Sequence, residues 1–205
     1  MKQKIKGFIF DVGGVLQLPN PRFNHPHVHS FIAKELGISL DQYFDSIDTA
    51  YASSIEGKIS EKKAIKTMSR NLKITPRKLT KLYMTAYRKN YLINKKLLQF
   101  ASSLKNKGYR TAVLSDQWLL SKKALILPIF YKNFSTVVVS CDVGMRKPNP
   151  KIYNLTLKRL KLKPEEVIFI DNQKWNIAPA KRLGMKAILF KNTEQAIRDL
   201  KKWQK

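Results

Sequence analysis

Phe8-Ile9-Phe10-Asp11-Val12-Gly13-Gly14-Val15-Leu16 is the stretch whose reading decides the fold. Ile5 to Phe10 shows no polar alternation, so it reads as a strand buried on both faces, the signature of a parallel sheet. An aspartate directly after such a strand stands at the carboxyl edge, where open α/β sheets place their ligands. Gly13 and Gly14 permit a sharp turn and a close approach of backbone to ligand. Taken alone, Asp11 is also consistent with an ordinary strand-to-turn residue; the later strands carry the argument further.

The same strand punctuation recurs along the second half. Arg110-Thr111-Ala112-Val113-Leu114 runs into Ser115-Asp116, and Thr136–Val139 runs into Ser140–Pro148. Val167-Ile168-Phe169-Ile170 ends in Asp171-Asn172, and Ala187–Phe190 is a fifth strand. Helices are expected over Lys96–Lys107, from Asn149-Pro150, over Asn176–Leu183, and after Thr193. Strands alternating with helices over short connections predict a doubly wound parallel sheet of the α/β class.

Between Gln17 and about Tyr91 the period changes to that of amphipathic helices. His27–Leu36 closes at Gly37, and Ser39-x-x-Gln42 has the form of a capping box. Ser60 caps a third helix with the stripe Ile65, Met68 and Leu72. Thr75-Pro76 supplies a cap and first-turn pair for a fourth, whose apolar face is Leu79, Leu82 and Ala86. The predicted division is therefore an α/β core of residues 1–16 and 92–205, with a four-helix insertion over 17–91.

Composition narrows the class. A hydrophobic content of 43% in 205 residues suits a folded core rather than a disordered tail. No apolar run approaches the ~20 residues of a membrane span, so no membrane insertion is expected. Asp11 interrupts the apolar patch after Met1-Lys2-Gln3-Lys4 and no small-residue cleavage site follows, which argues against a signal peptide. The single cysteine, Cys141, can make no internal disulfide, and a cytoplasmic setting is the expectation. Forty Lys plus Arg against 14 Asp plus Glu give a net charge of +26. A field of that sign attracts anions: phosphorylated metabolites, nucleic acid or acidic membrane. A composition bias without function is the competing reading.

Asp11, Ser115, Lys147 and Asp171 all stand at or shortly after predicted parallel strands, whose ends converge on one crevice. A nucleophilic carboxylate, a hydroxyl, an ammonium and a second carboxylate form a coherent set for phosphate chemistry. Asp11 is suited to attack phosphorus, and Ser115 and Lys147 to hold its equatorial oxygens. Asp11 and Asp171 together suit Mg2+, which favours one or two carboxylates plus substrate oxygens and water.

At this point the chain resembles the haloacid dehalogenase (HAD) superfamily, over essentially its whole length, in the subfamily with a helical cap inserted after the first strand. Phe8 to Leu16 is similar to that family's first motif, and Val113-Leu114-Ser115-Asp116 to its second. Gly144-Met145-Arg146-Lys147-Pro148-Asn149-Pro150-Lys151-Ile152-Tyr153 resembles the third, and Val167 to Gly184, with Asn176 and Ala180, the fourth. The resemblance implies a Rossmann-like sheet and a phosphatase-type hydrolase acting on a small phosphorylated substrate through an aspartyl-phosphate on Asp11. It implies Mg2+ held by Asp11, the Gly13 carbonyl and Asp171, phosphate held by Ser115 and Lys147, and Gly14, Asp116 and Asn172 as neighbours of those sites. Two residues depart from the pattern. Gly13 stands where the family's phosphatases usually carry an aspartate that protonates the leaving group, and Asn172 replaces a frequent second acid. Losing a positioned acid costs ~10²–10⁴ in rate, so slow turnover is expected, best on good leaving groups. A metal-independent 2-haloacid dehalogenase is an alternative that also lacks this aspartate, although it would carry a tyrosine at position 13.

Other features are weaker. His25, His27 and His29 match no common zinc spacing, and contact with substrate or plain exposure is the expectation. Arg22 and Ser54-Ile55-Glu56-Gly57-Lys58 lie where the family often places specificity residues. Trp118 and Trp175 are expected near the crevice mouth, stacking on a substrate ring or covering the sheet edge. Lys62, Lys66, Arg70, Lys73, Lys78, Lys81 and Arg88 share outward faces of two helices. They raise a second class of function, a catalytically weakened scaffold binding nucleic acid by salt-sensitive phosphate contacts.

Overall fold

A computed structural model describes residues 4–23 and 27–204. In chain order the strands and helices are β1 (Gly7–Phe10), β2 (Gln17–Pro19), α1 (Val28–Leu36), α2 (Leu40–Ile55), α3 (Glu61–Asn71), α4 (Pro76–Asn90) and β3 (Tyr91–Ile93). There follow α5 (Lys95–Asn106), β4 (Arg110–Ser115), α6 (Leu119–Leu125), α7 (Pro128–Asn133), β5 (Thr136–Val139), α8 (Ser140–Val143) and α9 (Pro150–Leu160). The chain then forms β6 (Val167–Asp171), α10 (Lys174–Arg182), β7 (Lys186–Leu189) and α11 (Thr193–Lys201).

Five strands form one parallel sheet in the order β5-β4-β1-β6-β7. The order reverses on either side of β1, which gives a topological switch point at its carboxyl end. The unbroken apolar run of β1 is explained by its place: Phe8, Ile9 and Phe10 are all fully buried, sandwiched between helices on both faces. Phe8 and Phe10 pack into the larger core with α5 and α11, while Ile9 packs into the second core with α9 and α10. Among the described residues no helix is long and apolar enough to cross a membrane.

Helices α1–α4 lie between β2 and β3, and their starts follow the local chemistry read from the sequence. Ser39 accepts from the Gln42 amide at 3.1 Å while the Gln42 side chain accepts from the Ser39 amide at 3.0 Å. The Ser60 hydroxyl accepts from Lys63 N, and the Thr75 hydroxyl from Lys78 N, with Pro76 in the first turn. These contacts satisfy amides that lack intrahelical partners.

Two expectations are corrected. Gln17–Pro19 is a strand rather than the start of helical sequence; it pairs antiparallel with Tyr91–Ile93, so a two-stranded ribbon joins the helical segment to the sheet at both of its ends. Trp118 is not at a crevice mouth. It is fully buried, its indole Nε1 donates to the Tyr87 hydroxyl at 2.8 Å, and its ring lies edge-on to Tyr83 and Tyr51 at 4.7 and 5.6 Å. An indole in that position needs a partner for its N–H, and Tyr87 on α4 provides it. Trp118 thereby ties the sheet-side helix α6 to α2 and α4.

Ser54–Lys58 also has a packing role. Glu56 pairs with Lys58 and with Arg146 at 3.2 Å. At Gly57, where φ is +64°, an added Cβ would lie 2.3 Å from the Cys141 carbonyl oxygen. The segment docks on α8 so closely that only glycine fits.

Candidate active site

The register of the sheet brings the carboxylates together. Phe10 pairs with Ile170, and the Asp11 amide donates to the Ile170 carbonyl at 2.9 Å, so Asp11 and Asp171 emerge side by side. On the other flank Phe10 pairs with Val113, which sets Ser115 at the same edge. Lys147 comes from the loop between α8 and α9. Its Nζ donates to Asp11 Oδ1 at 2.8 Å, Asp171 Oδ2 at 2.7 Å and the Leu114 carbonyl at 3.3 Å.

All three groups of this ion triad are buried. An ammonium has three hydrogens, and here three acceptors take them, so the buried charge is fully paired. As placed, Lys147 neutralises the carboxylates rather than facing an open phosphate position. Burial opposes its charge, but Asp11, Asp171 and Asp116 outweigh that and raise its affinity for the proton above that of an ordinary lysine. Burial pushes the Asp11 carboxyl up to about 7, against the pull of Lys147 and with Asp171 adding to the rise.

The surrounding shell fixes these groups. Asp171 Oδ1 accepts from the Gln173 amide at 2.7 Å, and its Oδ2 also accepts from Asn176 Nδ2 at 3.1 Å. The Tyr153 hydroxyl donates to the Asn176 carbonyl at 2.9 Å. Asp116 Oδ1 accepts from the Lys147 amide at 3.1 Å, which holds the lysine backbone in place; burial raises the Asp116 carboxyl above its ordinary range. Ser115 Oγ accepts from Gln117 Nε2 at 2.8 Å, and Gln117 is clamped in turn by Ser140.

Gly13 and Gly14 shape the turn after β1. Gly14 has φ +80°, and a Cβ there would lie 2.4 Å from Asn172 Nδ2; at Gly13 a Cβ would meet nothing within 4 Å. The Asn172 amide is thus pressed against the turn, and its Oδ1 is buried without a hydrogen-bond partner. An orphaned buried oxygen next in the chain to Asp171 suits a hard cation. Among the described residues no three His, Cys, Asp or Glu side chains converge as a metal cluster. Two carboxylates with amide and carbonyl oxygens are a donor set that fits Mg2+ and does not resemble a zinc site.

Asp11 and Lys147 of the triad line a cavity of about 340 Å³. Asp11, Gly13, Ser115, Asp116, Lys147 and Asn172, six of the residues picked from the sequence, line it together. Asp171 sits behind, fully buried, and Gly14 supports the turn. The opposite wall comes from the helical segment: His27, Val28, His29, Tyr51 and Tyr87, with Tyr91 at the ribbon. Trp175 stands at the rim, 63% exposed. His27 and His29 line the cavity, whereas His25 lies outside the described residues. Arg22 and residues 54–58 are not part of the lining. Sequence reasoning missed Tyr51, Tyr87, Tyr91 and Gln117. A tyrosine on the buried face of an amphipathic helix reads as core, and nothing local distinguishes one that ends at a cavity.

Residues 5–184 match the family model for haloacid dehalogenase-like hydrolases. The chain is 41% identical over 115 residues to mouse bifunctional epoxide hydrolase 2, an alignment covering 54% of this chain but only 21% of that protein. It is 35% identical over 99 residues to glyceraldehyde 3-phosphate phosphatase of Pyrococcus furiosus, covering 47% of this chain and 41% of the relative. The fold is also that of a HAD family enzyme from Bacteroides thetaiotaomicron solved with magnesium and inorganic phosphate, at TM-score 0.74 and 20% identity over 91% of this chain and 94% of that one.

Proposed function

Because the chain belongs to the haloacid dehalogenase-like hydrolases, we propose that its crevice is the active site of a Mg2+-dependent phosphatase acting on a small phosphorylated compound. The single observation that carries this reading is the buried Asp11–Lys147–Asp171 triad at the switch point of the sheet. Such a triad has no packing rationale, since apolar residues of equal volume stabilise a core as well or better. The relative named as a phosphatase and the Bacteroides structure with magnesium and phosphate support the same reading.

In this reading an Asp11 carboxylate oxygen attacks phosphorus in line with the departing oxygen, forming an aspartyl-phosphate as the bond from phosphorus to that oxygen breaks. The leaving group departs as an oxyanion and takes any proton it needs from water. Water then attacks phosphorus, returns the carboxylate and yields inorganic phosphate. Lys147 exchanges a carboxylate for a phosphoryl oxygen as the substrate seats, and the Ser115 hydroxyl, held from one side by Gln117, donates to a second. Mg2+, held by Asp11, Asp171 and the Gly13 carbonyl, would keep Asp11 ionised and offset the charge of the phosphoryl oxygens. Asp171, in turn, is oriented by Gln173 and Asn176. No side chain at position 13 protonates the leaving group, so compounds with good leaving groups are turned over best. The helical segment, residues 17–91, acts as a cap over the core formed by 1–16 and 92–205.

The test is phosphate release from acetyl phosphate and p-nitrophenyl phosphate, with Mg2+ and with EDTA, beside Asp11→Asn. Mg2+-dependent release lost in the variant is the expected result. Release equal in wild type and Asp11→Asn would refute the reading. Chloride release from 2-chloropropionate in EDTA would instead indicate a dehalogenase.

A further inference from the structure

The surface charge of the molecule does not extend into its cavity. Lys147 is the one Lys or Arg among the described lining residues, and its three protons already engage Asp11, Asp171 and a carbonyl. Lys62, Lys66, Arg70, Lys73, Lys78, Lys81 and Arg88, on α3, α4 and the turn between them, are all exposed, and none lines the cavity. What faces the triad from the helical segment is largely aromatic: His29, Tyr51 and Tyr87, with His27 and Val28 beside them and Tyr91 at the ribbon. Tyr87 accepts from the buried Trp118 at 2.8 Å, and Tyr51 lies edge-on to the same indole at 5.6 Å. That network fixes both rings. Burial pushes the Tyr51 hydroxyl up to about 12 and holds His29 down at about 4, so both are neutral near pH 7.

Resting on the phosphatase reading, we propose that this cavity selects monophosphates whose leaving group is uncharged and bears a planar ring, and rejects those carrying a second anionic group. The phosphoryl end meets Lys147, Ser115 and the cation the carboxylates hold. A carboxylate or second phosphate at the other end would meet Tyr51, Tyr87 and Tyr91, with no further lysine or arginine among the described lining residues to pair with. An unpaired buried charge is costly, whereas a ring loses little on burial and gains aromatic contact. The exposed Trp175 at the rim offers a further ring face for the part of the leaving group that projects outward.

Matched phosphonates, which are not hydrolysed, isolate the selection. Calorimetry of the wild-type protein in Mg2+ should show phenylphosphonate binding at least about a hundredfold more tightly than 4-carboxyphenylphosphonate. Trp175→Lys, a change at an exposed position, should narrow that ratio to about tenfold or less by supplying a cation at the rim. Trp175→Ala should raise KM for phenyl phosphate several-fold and leave that for ringless acetyl phosphate unchanged. Equal binding of the two phosphonates, with acetyl phosphate still hydrolysed, would overturn the selection and leave the phosphatase reading standing. A strong preference for phenylphosphonate without phosphate release from any compound would keep the selection and overturn the phosphatase reading.

Discussion

A carbon added at Gly13 meets nothing within 4 Å, whereas one added next door at Gly14 strikes the Asn172 amide at 2.4 Å with the backbone at φ +80°. The two glycines therefore answer differently to substitution. Gly13→Asp should fold normally and raise turnover of alkyl phosphate esters by up to ~10²-fold, since it restores a proton donor beside the leaving oxygen; steady-state rates on alkyl against acyl phosphates check this. Gly14→Ala should cost about 2 kcal/mol or more, from combined left-handed strain and overlap, read as a fall in the urea midpoint. Lys147→Ala leaves Asp11 and Asp171 facing each other in a buried site. A loss of about 3–5 kcal/mol is expected in EDTA, with part of it recovered when Mg2+ is added. The carboxylates were legible in the sequence because each follows an unbroken apolar strand. Lys147 was legible only through its motif, and its three-way pairing was not, because it depends on the side-by-side register of β1 and β6 and on the turn of a loop.

Helix α1 carries His29 into a ring cluster made by Tyr43, Phe44, Tyr51 and Tyr83, with centroids 5.1–6.2 Å away, and its Nδ1 lies 3.3 Å from the Tyr43 hydroxyl. Burial, helped by His27, lowers the folded-state pKa to about 4 from an ordinary value of 6.5. Between those values the unfolded chain binds a proton that the folded one refuses. The packing of α1 is therefore fully stabilising above pH 6.5 and weakens as pH falls toward 4, by on the order of 2–3 kcal/mol. Urea titrations of wild type and His29→Gln between pH 7 and 4.5 should converge as the pH drops, because the variant lacks this slope. Unchanged separation would contradict it. The longer helices were legible because caps such as Ser39, Ser60 and Thr75 announce their starts and apolar stripes run down one side. The ribbon of β2 with β3, and the short helices α6–α8, hold too few residues to show a period, and Trp118 belongs to contacts between elements that no local pattern encodes.

At the scale of the molecule, net charge and cavity chemistry separate: +26 overall, yet two carboxylates and one ammonium among the cavity's charged lining residues. The field can draw anions toward the protein without pairing with them inside. Consequently kcat/KM for a phosphate ester should fall several-fold between about 20 and 200 mM salt while kcat holds, the mark of steering rather than of contact. Retention of generic RNA at low salt, lost at moderate salt, would add the nucleic-acid role read from the basic faces. The α/β class was legible from strand–helix alternation; the strand order was not, since the central strand β1 pairs with β4 and β6, about a hundred residues or more downstream, while β4–β5 and β6–β7 are near neighbours in the chain. That separation bears on biosynthesis. β1 occupies the middle of the sheet, yet its neighbours β4 and β6 lie far downstream, Gly7 pairing with Arg110 and Val167. At ~5–20 residues per second a ribosome would take on the order of ten seconds to deliver the second neighbour. During that interval Phe8-Ile9-Phe10 is an unsheltered sticky edge, and nascent chains of this protein should be clients of ribosome-associated chaperones until β6 emerges.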